Sequence, residues 1–184
     1  VALALPMWWK GRDVRDGLVT VLPMFYIGFP VACLLLVFWM PGGYNYVGVL
    51  LALCCAFFSD IFAYFGGSFL GRHKLCPTIS PKKTVEGCIA GLLGGLLAAA
   101  LIGLLIQPLF HVSIPLWQLL LLGLLCAGIS QIGDLVASSI KRHVGIKDFG
   151  KLMPGHGGML DRIDGVLFTL PVVYTAFAFI IVRV

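Results

Sequence analysis

The sequence predicts an all-α integral membrane protein with about five transmembrane helices and two basic cytoplasmic loops. Three observations lead there. The composition is 60% apolar and 11% charged, whereas soluble domains carry roughly 45–50% apolar and about 25% charged residues. Mean hydropathy is +1.02, so too little polar surface exists to face water. The apolar residues also run continuously instead of alternating, as between Leu92 and Leu105, which excludes a β-barrel. Helix is then the only spanning form, because lipid cannot satisfy free backbone groups.

Crossing a hydrocarbon core takes about 20 helical residues. Four runs reach that length: 17–40, 47–71, 85–110 and 116–137. A fifth, 166–182, is at the short end. Pro23 and Pro30 place a kink in the first run. Gly91 and Gly95 form a G-x-x-x-G pair in the third. That pair lets helices approach closely, first of all within the chain, with a homodimer as the weaker alternative. The six cysteines include no C-x-x-C pair and lie mostly in apolar runs, as small core residues do. Residues 1–184 read as a single transmembrane catalytic domain. The start at Val1 suggests the C-terminal part of a longer chain, with residues 1–9 ending an earlier helix, and no secretory signal is visible.

Charge sets the orientation. Twelve of the 13 Lys and Arg lie in three segments. These are Lys10–Arg15, Arg72–Lys83 and Lys141–Arg162, which five spans place on one face. The turns at 41–46 and 108–115 contain none. The positive-inside rule makes the basic face cytoplasmic. A basic cytoplasmic face is common to membrane proteins and attracts anionic lipid headgroups, so the net charge of +5 does not by itself show enzymatic activity, and no nucleic-acid partner is expected.

The loops at about 72–84 and 141–161 are the place for chemistry on a water-soluble substrate. Of eight acidic residues, Asp13 and Asp16 read as solvated and Glu86 as favouring a helix N-terminus. Asp60 and Asp134 lie in or at the ends of apolar runs, where an ionisable group faces a partner or a cavity. On a helix Asp134, Ser138, Lys141 and Arg142 share one face, as do Asp161 and Asp164. Carboxylates beside cations suit a nucleotide bound with Mg²⁺; the alternative is carboxylates paired with neighbouring Lys or Arg. The run Pro154-Gly155-His156-Gly157-Gly158 permits close backbone approach before a helix.

The stretch 138–164 resembles the signature of the phosphatidate cytidylyltransferases. Ser138, Lys141, Arg142, Lys147, Asp148, Gly150, Pro154, His156, Gly157, Gly158, Asp161, Arg162 and Asp164 fall in register. Met153 stands where Leu, Ile or Phe is usual. The first loop is also similar: Asp60, Ala63 and Tyr64, then Gly71, then Ser80-Pro81-Lys82-Lys83-Thr84-x-Glu86-Gly87. Val85 replaces a frequent aromatic. The resemblance extends from about residue 48 onward, and bacterial members have further N-terminal helices.

The resemblance implies transfer of CMP from CTP to phosphatidic acid, in a bacterial inner membrane, with the site facing the cytoplasm. It implies Mg²⁺, with room for a second cation, at Asp134, Asp161 and Asp164. Lys141, Arg142, Lys147, Asp148 and Arg162 would serve catalysis, most of them on phosphates, and His156 would be a phosphate or hydrogen-bond contact. Asp60, Ser80, Lys82, Lys83, Thr84, Ser138, Gly157 and Gly158 would meet substrate. Alternatives are a CTP-dependent lipid kinase of the dolichol or phytol type and a CDP-archaeol synthase. A transporter using Asp60 and Asp134 as an ion path leaves the Gly- and Lys-rich loop unexplained.

Overall fold

A computed structural model describes residues 21–146, 148–150 and 158–181. The expectations for residues 1–9, the first basic segment, Lys147, His156 and Gly157 lie outside the described residues. Among the described residues, five helices are long and apolar enough to cross a membrane: α1 (Val21–Phe38), α2 (Tyr44–Leu70), α3 (Val85–Leu109), α4 (Leu116–His143) and α5 (Leu160–Ile181). The protein is thus an all-α integral membrane protein, relieved by one short hairpin. Large apolar side chains such as Phe25, Leu36, Phe65, Leu93 and Leu121 point outward from the bundle, the arrangement that lipid, and not water, favours.

The prolines shape the helices. In α1 a π-helical turn, Met24–Gly28, directly precedes Pro30. In α3 a second one, Ile102–Ile106, precedes Pro108. Proline brings no N–H for the carbonyl four residues back, and a wider turn absorbs the loss.

Glycine sets the helix spacing. A Cβ at Gly87 would stand 2.7 Å from the Ala63 carbonyl oxygen, and one at Gly94 2.6 Å from that of Phe58. The α2–α3 seam is therefore backbone against backbone. The α3–α4 seam is reciprocal: a Cβ at Gly95 would meet the Gly123 oxygen at 2.7 Å, and one at Gly123 the Gly95 oxygen at 2.7 Å. The G-x-x-x-G pair is thus taken up inside the bundle.

The connections segregate by end. Gly42 and Gly43, with φ of +67° and +82°, turn α1 into α2. This turn packs on the α3–α4 connection, where Tyr46 stacks on Phe110 with centroids 4.6 Å apart. Trp39 and Trp117 are exposed near these turns, as aromatic residues at a membrane interface are. The opposite end has the hairpin and the α4–α5 connection, where every basic residue of the described spans and loops lies.

Two boundaries differ from the sequence expectation. Helix α4 continues to His143, so Lys141 and Arg142 sit on its last turn and not in a loop. Their positive charge is favourable there, against the helix dipole. Helix α5 starts at Leu160, which puts Asp161 and Asp164 on helix. Periodic hydropathy understates both ends because their residues are polar. Helix α5 is also the most enclosed span, and α1 the most exposed. An enclosed helix can carry Asp164 and Thr169, both buried, without showing them to lipid, which is why it reads as the shortest apolar run.

Candidate active site

The first basic loop is a small antiparallel hairpin of β1 (Lys74–Cys76) and β2 (Ser80–Thr84), paired Lys74 with Thr84 and Cys76 with Ser80. Its base is fastened to α3 from two sides. Thr84 caps the helix, its Oγ1 accepting the Gly87 N–H at 3.1 Å, as an N-cap threonine does. Glu86, in the first turn, accepts the backbone N–H groups of Arg72 (3.1 Å) and His73 (3.2 Å). The exposed His73 ring adds a contact at 2.6 Å from Nδ1 to Glu86 Oε1. At the hairpin tip, Arg142 Nε donates to the Ile79 carbonyl at 3.5 Å, tying the end of α4 to the turn.

Strand alternation then divides the two lysines. Successive side chains of a strand point to opposite faces. Lys82 is exposed, while Lys83 turns inward and meets Asp134 of α4 at 2.6 Å. Lys83 Nζ also donates to the Gln131 carbonyl at 3.3 Å. Around this pair opens a cavity of about 530 Å³. Its walls come from α2 (Asp60, Ala63, Tyr64), the hairpin (Ser80, Lys82, Lys83, Thr84) and α4 (Gln131, Asp134). Sequence-predicted Asp60, Ser80, Lys82, Lys83, Thr84 and Asp134 are therefore brought together. The cavity is lined by both cations and carboxylates, and Lys83 and Asp134 are in direct contact within it.

The second group lies where α4 and α5 meet. Lys141 Nζ pairs with Asp161 Oδ1 at 2.7 Å, both side chains nearly buried. The other Asp161 oxygen, Oδ2, accepts the backbone N–H of Phe149 at 2.9 Å and of Gly158 at 3.0 Å. Asp161 thereby holds both described edges of the α4–α5 connection. Gly158 is buried, and a Cβ there would come within 2.7 Å of the Gly150 nitrogen, so glycine is what allows the two edges to touch. Arg162 and Asp148 are exposed, and Ser138 is half-buried one turn beyond Asp134.

Asp164 is 5% exposed, and its Oδ1 accepts the Gly165 N–H at 2.8 Å. Its strongest charged neighbour is Asp134, with Lys141 and Asp161 also within electrostatic reach. Asp60 likewise feels Asp134, Asp164 and, with opposite sign, Lys83. Asp60 and Asp164 thus each lie within electrostatic reach of Asp134, which Lys83 pairs directly. Among the described residues, no three His, Cys, Asp or Glu side chains are close enough together to hold one ion. The donors nevertheless fit a hard divalent cation, which commonly takes one or two carboxylates and completes its shell with substrate phosphates and water. Asp164 suits that role, and Asp134 does once a cation takes the place of Lys83 on it. Asp161 would have to release Lys141 or the loop amides first.

The sequence reading missed Gly67, Ser68, Leu75, Cys88 and Gln131 as lining residues, and Gln131 matters most among them. Gln131 is buried in a run that otherwise looks like apolar span. The signal available was its position one turn before Asp134 on the same helix face.

Comparison with known proteins bears on the chemistry. Residues 2–180 match the model of the cytidylyltransferase family. The chain is similar to the phosphatidate cytidylyltransferase of Staphylococcus saprophyticus, 42% identical over 123 residues, covering 67% of this chain and 46% of the relative. It is similar to the phosphatidate cytidylyltransferase of Thermotoga maritima, 43% identical over 129 residues, 70% of this chain and 48% of the relative. It is also similar to the uncharacterized protein YnbB of Escherichia coli K12, 46% identical over 133 residues, 72% of this chain and 42% of that protein. The aligned part spans less than half the length of each of these relatives.

Proposed function

We propose that this chain, which belongs to the cytidylyltransferase family, carries the catalytic site for transfer of CMP from CTP to phosphatidic acid. An oxygen of the lipid phosphate bonds to the α-phosphorus of CTP. The bond from that phosphorus to the bridging oxygen of the β-phosphate breaks, and pyrophosphate leaves with the electron pair. CDP-diacylglycerol remains in the membrane. The observation that carries this reading is the cavity at the basic end of the bundle, lined by Lys74, Lys82 and Lys83 together with Asp60 and Asp134. A phosphate nucleophile is already anionic near neutral pH, so the site needs no strong base. Its task is to hold two anionic substrates together and neutralise their charge.

The residues divide that task. Lys83, set inward by the strand, and Lys82 beside it would hold nucleotide or lipid phosphate, with Ser80 and Thr84 at the same wall. Lys141, Arg142 and Arg162 supply further positive charge at the junction of α4 and α5. Asp134 and Asp164 would hold Mg²⁺, and Asp60 lines the same cavity as Asp134. When bound, the cation supplies neutralisation of phosphate oxygens and of the leaving pyrophosphate.

Incubation of the purified protein with CTP labelled in the base, Mg²⁺ and phosphatidic acid should give labelled lipid and free pyrophosphate. Label in lipid only from γ-labelled CTP would instead identify a lipid kinase. Comparing diacyl with ether-linked phosphatidate distinguishes the diacylglycerol product from an archaeol type.

The same reading places the basic end at the cytoplasmic face of a bacterial inner membrane, where CTP is available. A single cysteine in place of Lys82, in a background without native cysteines, should resist an impermeant thiol reagent in sealed right-side-out vesicles. It should react once the vesicles are opened. Labelling in sealed vesicles would reverse the orientation.

A further inference from the structure

Gln131 is buried on α4 and joins three elements of the bundle. Its Nε2 donates to Ser59 Oγ of α2 at 3.1 Å and to the Cys88 carbonyl of α3 at 3.2 Å. The amide orientation is fixed chemically, because a carbonyl can only accept, so the NH₂ group must face Cys88. Ser59 Oγ in turn donates to the Ala127 carbonyl at 3.5 Å, one turn before Gln131 on α4, closing a circuit between α2 and α4. The backbone carbonyl of Gln131 itself accepts Lys83 Nζ at 3.3 Å. One turn further on, Asp134 takes the same ammonium at 2.6 Å.

Glycine at 91 belongs to this arrangement. A Cβ there would lie 2.6 Å from Gln131 Nε2 and 3.0 Å from Ser59 Oγ. One glycine of the G-x-x-x-G pair therefore makes room for an amide, beyond letting helices touch. The seam between α2, α3 and α4 is built around a polar contact next to the cavity. An amide buried this way contributes a fixed register where apolar packing alone would tolerate sliding.

We propose that Gln131 is a positioning residue for the transfer reaction. By pinning α4 to α2 and α3, it sets the height at which the Gln131 carbonyl and Asp134 receive Lys83, and so holds that lysine at the cavity wall. This rests on the cytidylyltransferase reading above, but its structural core can be measured apart from it.

The test compares wild type with Gln131→Met, which keeps side-chain length and removes the amide. A second variant, Gly91→Ala, keeps the amide and crowds its nitrogen. In detergent, limited acylation with an amine reagent followed by mass spectrometry gives the labelling of Lys83 relative to Lys82. In wild type Lys83 should lag, being paired. Both variants should raise the Lys83 to Lys82 ratio several-fold with Lys82 itself unchanged and the melting temperature close to wild type. Turnover of CTP per folded molecule should fall roughly tenfold, with a smaller change in KM. An unchanged ratio in the folded variants overturns the proposal. So does a uniform rise at both lysines with loss of thermal stability, the pattern of a merely structural amide. Should Gln131→Met fail to fold, Gly91→Ala decides alone. Should wild type fail to consume CTP, the catalytic reading falls and the labelling ratio still decides the positioning of Lys83.

Discussion

Replacing Asp164 with Asn is expected to lower CDP-lipid formation per folded molecule by roughly a hundredfold or more, about 2.7 kcal/mol of barrier. The side chain keeps its size and its place against Gly165, and only the negative charge is lost. Asp164 is buried beside Asp134, a like charge. Retaining two such carboxylates together costs free energy unless a cation compensates them. Removing one charge should therefore leave thermal stability in detergent equal or higher while activity collapses. Higher Mg²⁺ should restore part of the rate, since a weakened ligand set is filled at higher concentration. The check is turnover per folded molecule across a Mg²⁺ titration. Near-normal turnover at low Mg²⁺ would remove Asp164 from the site.

The Asp161→Ala variant should behave in the opposite way. This carboxylate is occupied on both oxygens, by Lys141 and by the N–H groups of Phe149 and Gly158. Its loss leaves a nearly buried ammonium and two backbone donors without their acceptor. Breaking a buried pair by removing one partner costs about 3–5 kcal/mol, so a clear drop in the unfolding midpoint is expected. Removing both charges, with Lys141→Met added, should recover much of that loss, because no unpaired charge remains inside. Activity should not return with it, since Lys141 is among the cations proposed for phosphate. A stable Asp161→Ala protein would show that the pair contributes little to the fold.

The two predictions separate residues that the sequence treats alike. Asp161 and Asp164, three positions apart on one helix, read equally as metal-facing carboxylates. On α5 the first lies at the end of the bundle, where Lys141 and the loop amides reach it. The second lies one turn deeper, toward Asp134. Spacing gives a shared face but not depth, and depth decides which partners arrive.

Other features were legible for local reasons. The five spans follow from length and hydropathy, because each helix must meet lipid on its own account. The basic end follows from charge, because twelve cations fall at alternate connections. The prolines of α1 announce its irregular turn, since a missing N–H acts within a few residues, while the like turn before Pro108 in α3 was not expected. The order and types of residues in the two loops were enough to suggest nucleotide chemistry.

The sequence by itself determined the solvent of this protein, the number of its spans and the end at which its charges gather, since each depends on residues near one another in the chain. The tertiary structure alone decided which charges meet. It turned Lys83 and not Lys82 toward Asp134 through the alternation of a short strand, closed Asp161 with Lys141 while leaving Asp164 among carboxylates, and buried the Gln131 amide between Ser59 and Cys88. Each of these contacts joins separate elements brought together by helix packing, and glycine-lined seams set the distances. Interhelical distance leaves only a faint periodic trace in a sequence, and the partner across a seam leaves none.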